Sequence, residues 1–331
     1  MFYDLSGFLI CAIIIFLAGK RLSHYGDLLA EMTGMGKALL GLVLMAAVTS
    51  LPELMVGISS VTIVGSADLA VGDILGSCAF NLGILSLMDF LLPKNQTLFK
   101  QVSISHILAA AFGIILMMLV GLGLFLNDDI ILSPWVGLTS LTFGIVYFVS
   151  MNTIYRYLKT HPAGSVKSDV HKFRFTLRQV IIRYALFALI IIGAALMLPH
   201  FAEKIAAYTG LGQSFVGTLF LAVSTSLPEI SVSIAAVRIG SADMAVGNLL
   251  GSNIFNIFIL FLDDLFYTKG HLLKDASESN LISVFFVAIM AVVVIIGCIF
   301  PGSRKRIFMS WDTLIILLLY ILNILLLYHY S

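Results

Sequence analysis

Charge is what this chain has least of. Only 19 Lys or Arg and 18 Asp or Glu occur in 331 residues, less than half of the roughly 80 charges that average usage gives a soluble chain of this length. That scarcity excludes an ordinary water-facing globule; the net charge of +1 hides a segregation of charge described below, and no basic domain of the kind that binds nucleic acid is present. Cysteine is equally sparse. Cys11, Cys78 and Cys298 are odd in number, lie in apolar runs and form no CxxC or Cys/His cluster, which excludes a disulfide framework and a zinc site. An intramembrane enzyme would use paired carboxylates as acid and base, but the chain lacks HExxH, a Ser/His dyad and a YD…GxGD pairing. No cofactor and no enzymatic role are expected.

Apolar residues make up 60% of the chain and the mean hydropathy is +1.06, so the surrounding solvent is lipid. A helix needs about 20 apolar residues to cross the hydrocarbon core. Ten such runs are counted, at 5–19, 37–60, 67–92, 102–126, 132–154, 179–198, 213–238, 242–266, 280–300 and 311–329. The expected fold is an all-α integral membrane protein of ten transmembrane helices. Lys20 and Arg21 follow the first run directly, with no basic stretch before it and no small-residue cleavage site after it, so it reads as a retained helix rather than a signal peptide. With ten spans, 16 of the 19 Lys and Arg fall on one side, leaving Lys204, Lys269 and Lys274 on the other. The basic side is cytoplasmic by the positive-inside rule, which places both termini outside a cell (inner) membrane. The stretch 155–178 is polar and basic, with His161-Pro162 and Gly164-Ser165 as breaks. It reads as a cytoplasmic linker between halves 1–154 and 179–331.

The two halves repeat one another. Thr49-Ser-Leu-Pro-Glu53 recurs as Thr225-Ser-Leu-Pro-Glu229, and Gly65–Asn81 recurs as Gly240–Asn256 with 12 of 17 positions identical. The offsets are 176 and 175 residues, within repeats at about 37–92 and 213–266. Five spans separate equivalent points, an odd number, so the copies are expected to insert in opposite orientation as two inverted five-helix repeats.

The repeated residues carry oxygen. Glu53 and Glu229 lie deep in apolar runs, where a charge costs about 2.5–3.5 kcal/mol on insertion scales and demands compensation. Pro52 and Pro228 lack an N–H for the carbonyls of Val48 and Ser224 and open the turn there. Such broken helices are tolerated where loosened backbone lines a cavity or holds an ion. Thr49 and Thr225 precede the glutamates by four residues and are expected on the same helix face. Ser77 and Asn81, like Ser252 and Asn256, are also four apart. Gly72, Gly76, Gly247 and Gly251 give small-xxx-small spacings that let a neighbouring helix approach. Together these supply carboxylates, hydroxyls, amide oxygens and freed carbonyls, the donors that Na⁺ and Ca²⁺ take. Two fixed carboxylates are neutralised by one Ca²⁺ or by two or more Na⁺ or protons, and competition between those occupants produces antiport. A passive channel is disfavoured, since the acids are not arranged as a ring around a pore.

These paired blocks, TSLPE followed by G-(N/D)-x-x-G-S-x-x-F-N, resemble the two repeats of the Ca²⁺/cation antiporter superfamily, and specifically its Na⁺/Ca²⁺ exchanger family. The resemblance implies ion coordination by Glu53, Thr49, Ser77 and Asn81 from one copy and Glu229, Thr225, Ser252 and Asn256 from the other. It also implies backbone carbonyls near Ala46 and Ala222, the hydroxyls of Ser50 and Ser226 close by, and a two-helix gate made of the first and sixth spans. The implied cargo is Ca²⁺ against Na⁺, with Ca²⁺/H⁺ exchange as the alternative, and the implied partners are inorganic cations and the lipid bilayer, with no obligate protein partner. The chain departs from the family pattern at Val48 and Ser224, where glycine is common, and at Cys78. It carries Asn at both 81 and 256, and Asp73 where the second copy has Asn248, so Asp73 stands as a third acidic candidate near the centre.

The remaining polar residues receive plainer expectations. Asp68 and Asp243 begin helices and read as N-caps. Asp128 and Asp129 read as solvated, and Asp263 and Asp264, closing the eighth span on the outside, as an ordinary helix end, with a weak external vestibule as the alternative. His106 reads as interfacial or hydrogen-bonded.

Overall fold

The computed structural model describes residues 2–33, 46–103, 105–126, 137–160, 175–238, 240, 242–302, 304–305 and 308–330. Among these residues the structure is helical and contains no β-strand. The first half holds α1 (Phe2–Thr33), α2 (Ala46–Thr49), α3 (Leu51–Ser59, continued by a π-helical turn at Ser60–Val64), α4 (Ala67–Leu91), α5 (Ser105–Phe125) and α6 (Leu138–Thr160). The second half holds α7 (Leu177–Thr209), α8 (Gln213–Val216), a π-helical turn (Gly217–Leu221), α9 (Ala222–Thr225), α10 (Leu227–Arg238), α11 (Ala242–Phe266), α12 (Leu272–Asp275), α13 (Asn280–Ile299) and α14 (Trp311–Tyr330).

Eight of these helices are long and apolar enough to cross a membrane, and the bent run from α8 to α10 makes a ninth if taken as one span. The run expected at 37–60 falls partly on residues 34–45, outside the described residues. Its remainder, Leu51–Val64, is shorter than a span. Lys37, Asp128, Asp129 and the breaks at His161-Pro162 and Gly164-Ser165 also lie outside the described residues, and the run expected at 132–154 is described from residue 137.

The longest helices outrun their apolar stretches. α1 has 32 residues and α7 has 33, or about 48–50 Å at 1.5 Å per residue, against a hydrocarbon core of roughly 30 Å. Hydropathy marks where lipid ends, not where a helix ends. No Pro interrupts α1 between Lys20 and Thr33, and the single glycine there, Gly26, does not break it, so the helix continues past the basic pair. α7 starts at a capping box in which Thr176 accepts from the Gln179 N–H and Gln179 accepts from the Thr176 N–H. It ends on Gly210 at φ +72°, the left-handed position that glycine fills without strain.

Burial separates a centre from a periphery. α4 and α11 have 72% and 78% of their membrane windows buried, against 39% for α1 and 22% for α7. α4, α11, α5 and α13 share one apolar core, including Ile74, Leu75, Leu85, Leu249, Ile257 and Val287. α1 and α7 pack on each other through a separate cluster that includes Phe8, Ile15, Ala195, Leu198 and Ala202. Leu9, Ile13 and Leu17 on α1, and Ile181, Leu186 and Leu189 on α7, are exposed. Such apolar faces suit lipid and would be costly in water. The two helices that carry the repeated polar block are therefore the most enclosed.

Gly65 and Gly240, equivalent in the repeat, both have positive φ, +74° and +77°. That geometry turns the chain from α3 into α4 and from α10 into α11, and an L side chain would strain it. Ser66 caps α4, its hydroxyl accepting from the Leu69 N–H at 3.2 Å. The expectation that Asp68 and Asp243 cap their own helices is therefore corrected. Asp68 reaches across to the loop before α13, accepting from the Ser277 N–H at 2.6 Å and from Asn280 at 3.3 Å. Asp243 does the same to the loop before α5, accepting from the Ser103 N–H at 2.6 Å and lying 2.8 Å from His106 Nε2. The partners recur in order in the two halves, Ser103 and His106 against Ser277 and Asn280, each 174 residues apart. His106 is thus hydrogen-bonded, with Gly247 leaving room for its ring.

Candidate cation-binding site

Helix breaks create the site. Between α2 and α3 the backbone leaves α geometry at Ser50 (φ −86°, ψ 13°), and between α9 and α10 it does so at Ser226 (φ −82°, ψ 10°). The second break bends the run by 43°. In each case a proline follows two residues later and withholds the N–H that would continue the ladder. Glu53 and Glu229 then sit in the first turns of α3 and α10, near the positive ends of those short dipoles.

Every side chain of the predicted set is enclosed. Glu53, Glu229, Ser50, Ser226, Thr225, Ser77, Ser252, Asn81, Asn256 and Asp73 are fully buried and Thr49 is 1% exposed. Ala46 and Ala222 are buried on the turns that precede the breaks.

The two copies cross over. Ser226 Oγ donates to Glu53 Oε1 at 3.0 Å, and Ser50 Oγ donates to Glu229 Oε1 at 3.4 Å. Thr49 Oγ1 lies 3.4 Å from Ser252 Oγ, and Ser77 Oγ lies 3.3 Å from Thr225 Oγ1. Thr49 and Ser252 both stand beside Glu229. The sequence spacing led to the expectation that each threonine shares a face with its own glutamate. The break at the intervening serine redirects it, so Thr49 stands beside Glu229 and Thr225 beside Asp73. Thr49 Oγ1 remains 3.3 Å from its own Ala46 carbonyl, and Thr225 Oγ1 is 3.2 Å from that of Ala222.

Asp73 joins this cluster from α4, with Thr225 Oγ1 3.1 Å from its Oδ1. Asn81 is drawn aside: its amide donates to Asn253 Oδ1 at 3.0 Å, while Asn253 donates to the Cys78 carbonyl at 3.1 Å. Close approach of the two halves depends on glycine. A Cβ at Gly76 would overlap the backbone of Thr218, and one at Gly72 would press on Ser214 and Gly217. Gly19 accepts the ring of Pro228 in the same way, seating α1 against the second break.

The remaining valences define what the site can hold. Glu53 Oε2, Glu229 Oε2, Asp73 Oδ2 and both polar atoms of Asn256 receive no hydrogen bond from the protein. Among the described residues none of the three acids is paired with Lys, Arg or His. A buried carboxylate without a basic partner calls for a mobile cation or a proton. Nor does any group of three or more His, Cys, Asp or Glu converge as a metal cluster among the described residues. A cation here must draw on hydroxyl, amide and backbone oxygens beside the carboxylates, the donor set of a hard ion that is released again.

Asp263, expected at an ordinary helix end, lies in the last turn of α11 but is fully buried with neither carboxylate oxygen partnered, directly against Gly57 of α3. The signal was available: Asp263 falls seven residues after Asn256, on the same helical face. Its neighbour Asp264 is occupied, accepting from the Leu272 N–H at 2.9 Å and the Gly137 N–H at 3.2 Å.

The family model described as sodium/calcium exchanger protein matches residues 3–153 and 180–329. Among curated proteins, the chain is 28% identical over 286 residues to an inner membrane protein, YrbG, of Escherichia coli strain K12, covering 83% of this chain and 84% of that one. It is 34% identical over 146 residues to a sodium/calcium exchanger, MaX1, of Methanosarcina acetivorans, covering 43% of this chain and 38% of that one. Among solved structures, it aligns with the sodium-calcium exchanger NCX_Mj at a TM-score of 0.63 and 20% identity, over 98% of both chains. It aligns with the H⁺/Ca²⁺ exchanger CAX at 0.69 and 17% identity, over 97% of this chain and 82% of that one. Both structures share the fold of this chain.

Proposed function

The chain belongs to the sodium/calcium exchanger protein family, and from that premise we propose that it is a secondary active antiporter of the cell membrane, exchanging Ca²⁺ for Na⁺ by alternating access. The observation that carries this reading is the crossed pairing of Ser226 with Glu53 and Ser50 with Glu229. It brings one carboxylate from each half into a shared, enclosed, oxygen-lined space.

The ion site consists of Glu53 and Glu229, with Thr49, Thr225, Ser77, Ser252, Asn81 and Asn256, the carbonyls of Ala46 and Ala222, the hydroxyls of Ser50 and Ser226, and Asp73 at its edge. The halves, 1–154 and 179–331, are joined by the basic linker 155–178 and form inverted five-helix repeats within a ten-span layout, both termini outside. Hydrogen bonds that recur under exchange of the two copies support this arrangement. Charge drives the cycle. Without a cation, two unpaired carboxylates in a low-dielectric site repel one another at high cost. One Ca²⁺, or two or more Na⁺, removes that cost, so a neutralised site is free to be occluded and an empty one is not. α1 and α7, packed on one another and lightly buried, are the elements placed to slide across the α4/α11 core.

The test is ⁴⁵Ca²⁺ uptake into proteoliposomes under an imposed Na⁺ gradient and then under a pH gradient, for wild type and Glu53→Gln. Na⁺-driven uptake in wild type and none in the variant is the expected result. Uptake that responds only to pH assigns the chain to Ca²⁺/H⁺ exchange, and uptake that needs no counter-ion contradicts antiport.

A further inference from the structure

Unpartnered polar atoms do not stop at the central site. They continue along two facing helices toward the side on which Gly65 and Lys269 meet, with Lys269 Nζ 3.5 Å from the Gly65 carbonyl. On α3, Glu53, Gly57 and Ser60 follow at spacings of four and three, and on α11 Asn256, Leu260 and Asp263 do the same, so each set occupies one helical face. The contact between Gly57 and the Asp263 carboxylate locks those faces together. Between them stand Asp263 with both oxygens unpartnered, Ser60 Oγ unpartnered and Asn256 with its amide oxygen and nitrogen unpartnered, all fully buried.

A buried carboxylate that faces no basic group among the described residues is not a packing device, because an apolar residue would fill the space at lower cost. The repeat shows what packing alone uses there. The position equivalent to Asp263 is Met88, that equivalent to Ser60 is Ala236, and Gly57 is matched by Ser233. Both Met88 and Ala236 are buried apolar residues. The mouth built by α3 and α11 therefore carries a carboxylate and a hydroxyl where its counterpart has Met88 and Ala236, the counterpart's own hydroxyl being that of Ser233 at the position of Gly57. Gly57 contributes by omission, since a methyl group on it would overlap the Asp263 carboxylate. The π-helical turn that starts at Ser60 departs from the i→i+4 ladder at this point, as π-bulges do at functional sites.

We propose that Asp263, Ser60 and Asn256 form a second cation station, about one to two helical turns from Glu53, that takes a monovalent hard cation of the Na⁺ class on its way to or from the central site. One carboxylate balances one positive charge, and the hydroxyl and amide oxygens replace part of the hydration shell. Asp73 and Asp264 are the carboxylates that bear on Asp263. Asp264 is already engaged by two backbone N–H groups, which leaves Asp263 to meet the ion. This deepens the antiporter reading and rests on it for the direction of ion movement, though not for the existence of the station.

The experiment uses the purified full chain in detergent, melted in 1 and 100 mM NaCl with choline chloride holding ionic strength constant. The parent is the double variant Glu53→Gln and Glu229→Gln, in which the central site is disabled. It is expected to keep an Na⁺-dependent rise of about 2 °C or more in Tm, and adding Asp263→Asn is expected to abolish that rise. Gly57→Ala, which keeps every ligand atom but displaces the carboxylate, is expected to abolish it too, and this second variant decides the matter should Asp263→Asn not fold. Persistence of the rise in both added variants, or its absence from the parent, overturns the proposal. Failure of the central reading looks different: Glu53→Gln alone would then leave Ca²⁺ uptake unchanged.

Discussion

The two copies of the repeat agree at the glutamates, their hydroxyl neighbours and the turns, and differ at a few positions around them. TSLPE and the GSAD turn are the same in both, down to a positive-φ glycine at 65 and 240 and an acid that ties down a distant loop. Asp73 faces Asn248, Cys78 faces Asn253 and Met88 faces Asp263 across the register. The identities build the frame; the differences give it a direction. A symmetric site would have no reason to treat its two mouths differently, whereas this chain has two additional buried carboxylates, Asp73 on α4 and Asp263 on α11, where the other copy has an amide and a thioether.

The strongest way to break the comparison is to disable one half of what the copies share. Glu53→Gln or Glu229→Gln is expected to lower Ca²⁺ uptake about 100-fold or more, since removing one member of a desolvated charge group costs on the order of 3 kcal/mol. The measurement is initial-rate ⁴⁵Ca²⁺ flux at saturating gradient. Next in size is steric: Gly76→Ala drives a methyl group into the Thr218 backbone and is expected to destabilise the protein by about 1–3 kcal/mol. Gly247→Ala meets only the edge of the His106 ring at 3.2 Å and is expected to cost well under half as much, read as the difference between the two melting temperatures. Asp73→Asn makes the copies alike at that position and is expected to raise the Ca²⁺ concentration for half-maximal uptake by about 3–10-fold, or about 0.7–1.4 kcal/mol. The smallest effect is expected at the loop ties. Asp68→Asn and Asp243→Asn each weaken hydrogen bonds to a backbone N–H, at about 1 kcal/mol or less. Equal losses of thermal stability in the two variants would support their equivalence.

Much of the fold was legible because lipid imposes one rule on every span. The runs at 67–92, 242–266, 280–300 and 311–329 match α4, α11, α13 and α14 within one or two residues. α1 and α7 were underestimated, since a polar helix extending beyond the bilayer carries no hydropathy signal. The site was legible because acids and prolines in apolar runs have few structural uses, and the duplication marked which of them belong together. Two features were not. The cross-pairing of Ser50 and Ser226 with the opposite glutamates depends on how two bent helices meet, which no local spacing encodes. Asp263 is at a helix end as its position indicates, but its burial was not legible, because its contact with Gly57, some 200 positions away, is visible only in three dimensions.

The central claim is that Glu53 and Glu229 grip one and the same cation. Ca²⁺ titrated into the purified protein while its melting is followed tests this most directly, because a ligand bound only by the folded state stabilises it by about 2.7 kcal/mol at a hundred times its Kd. The account predicts a saturable rise in Tm for wild type and complete loss of that rise in Glu53→Gln and in Glu229→Gln taken singly. A rise retained in part by each variant, and lost only when both are combined, would mean two independent sites and would contradict it.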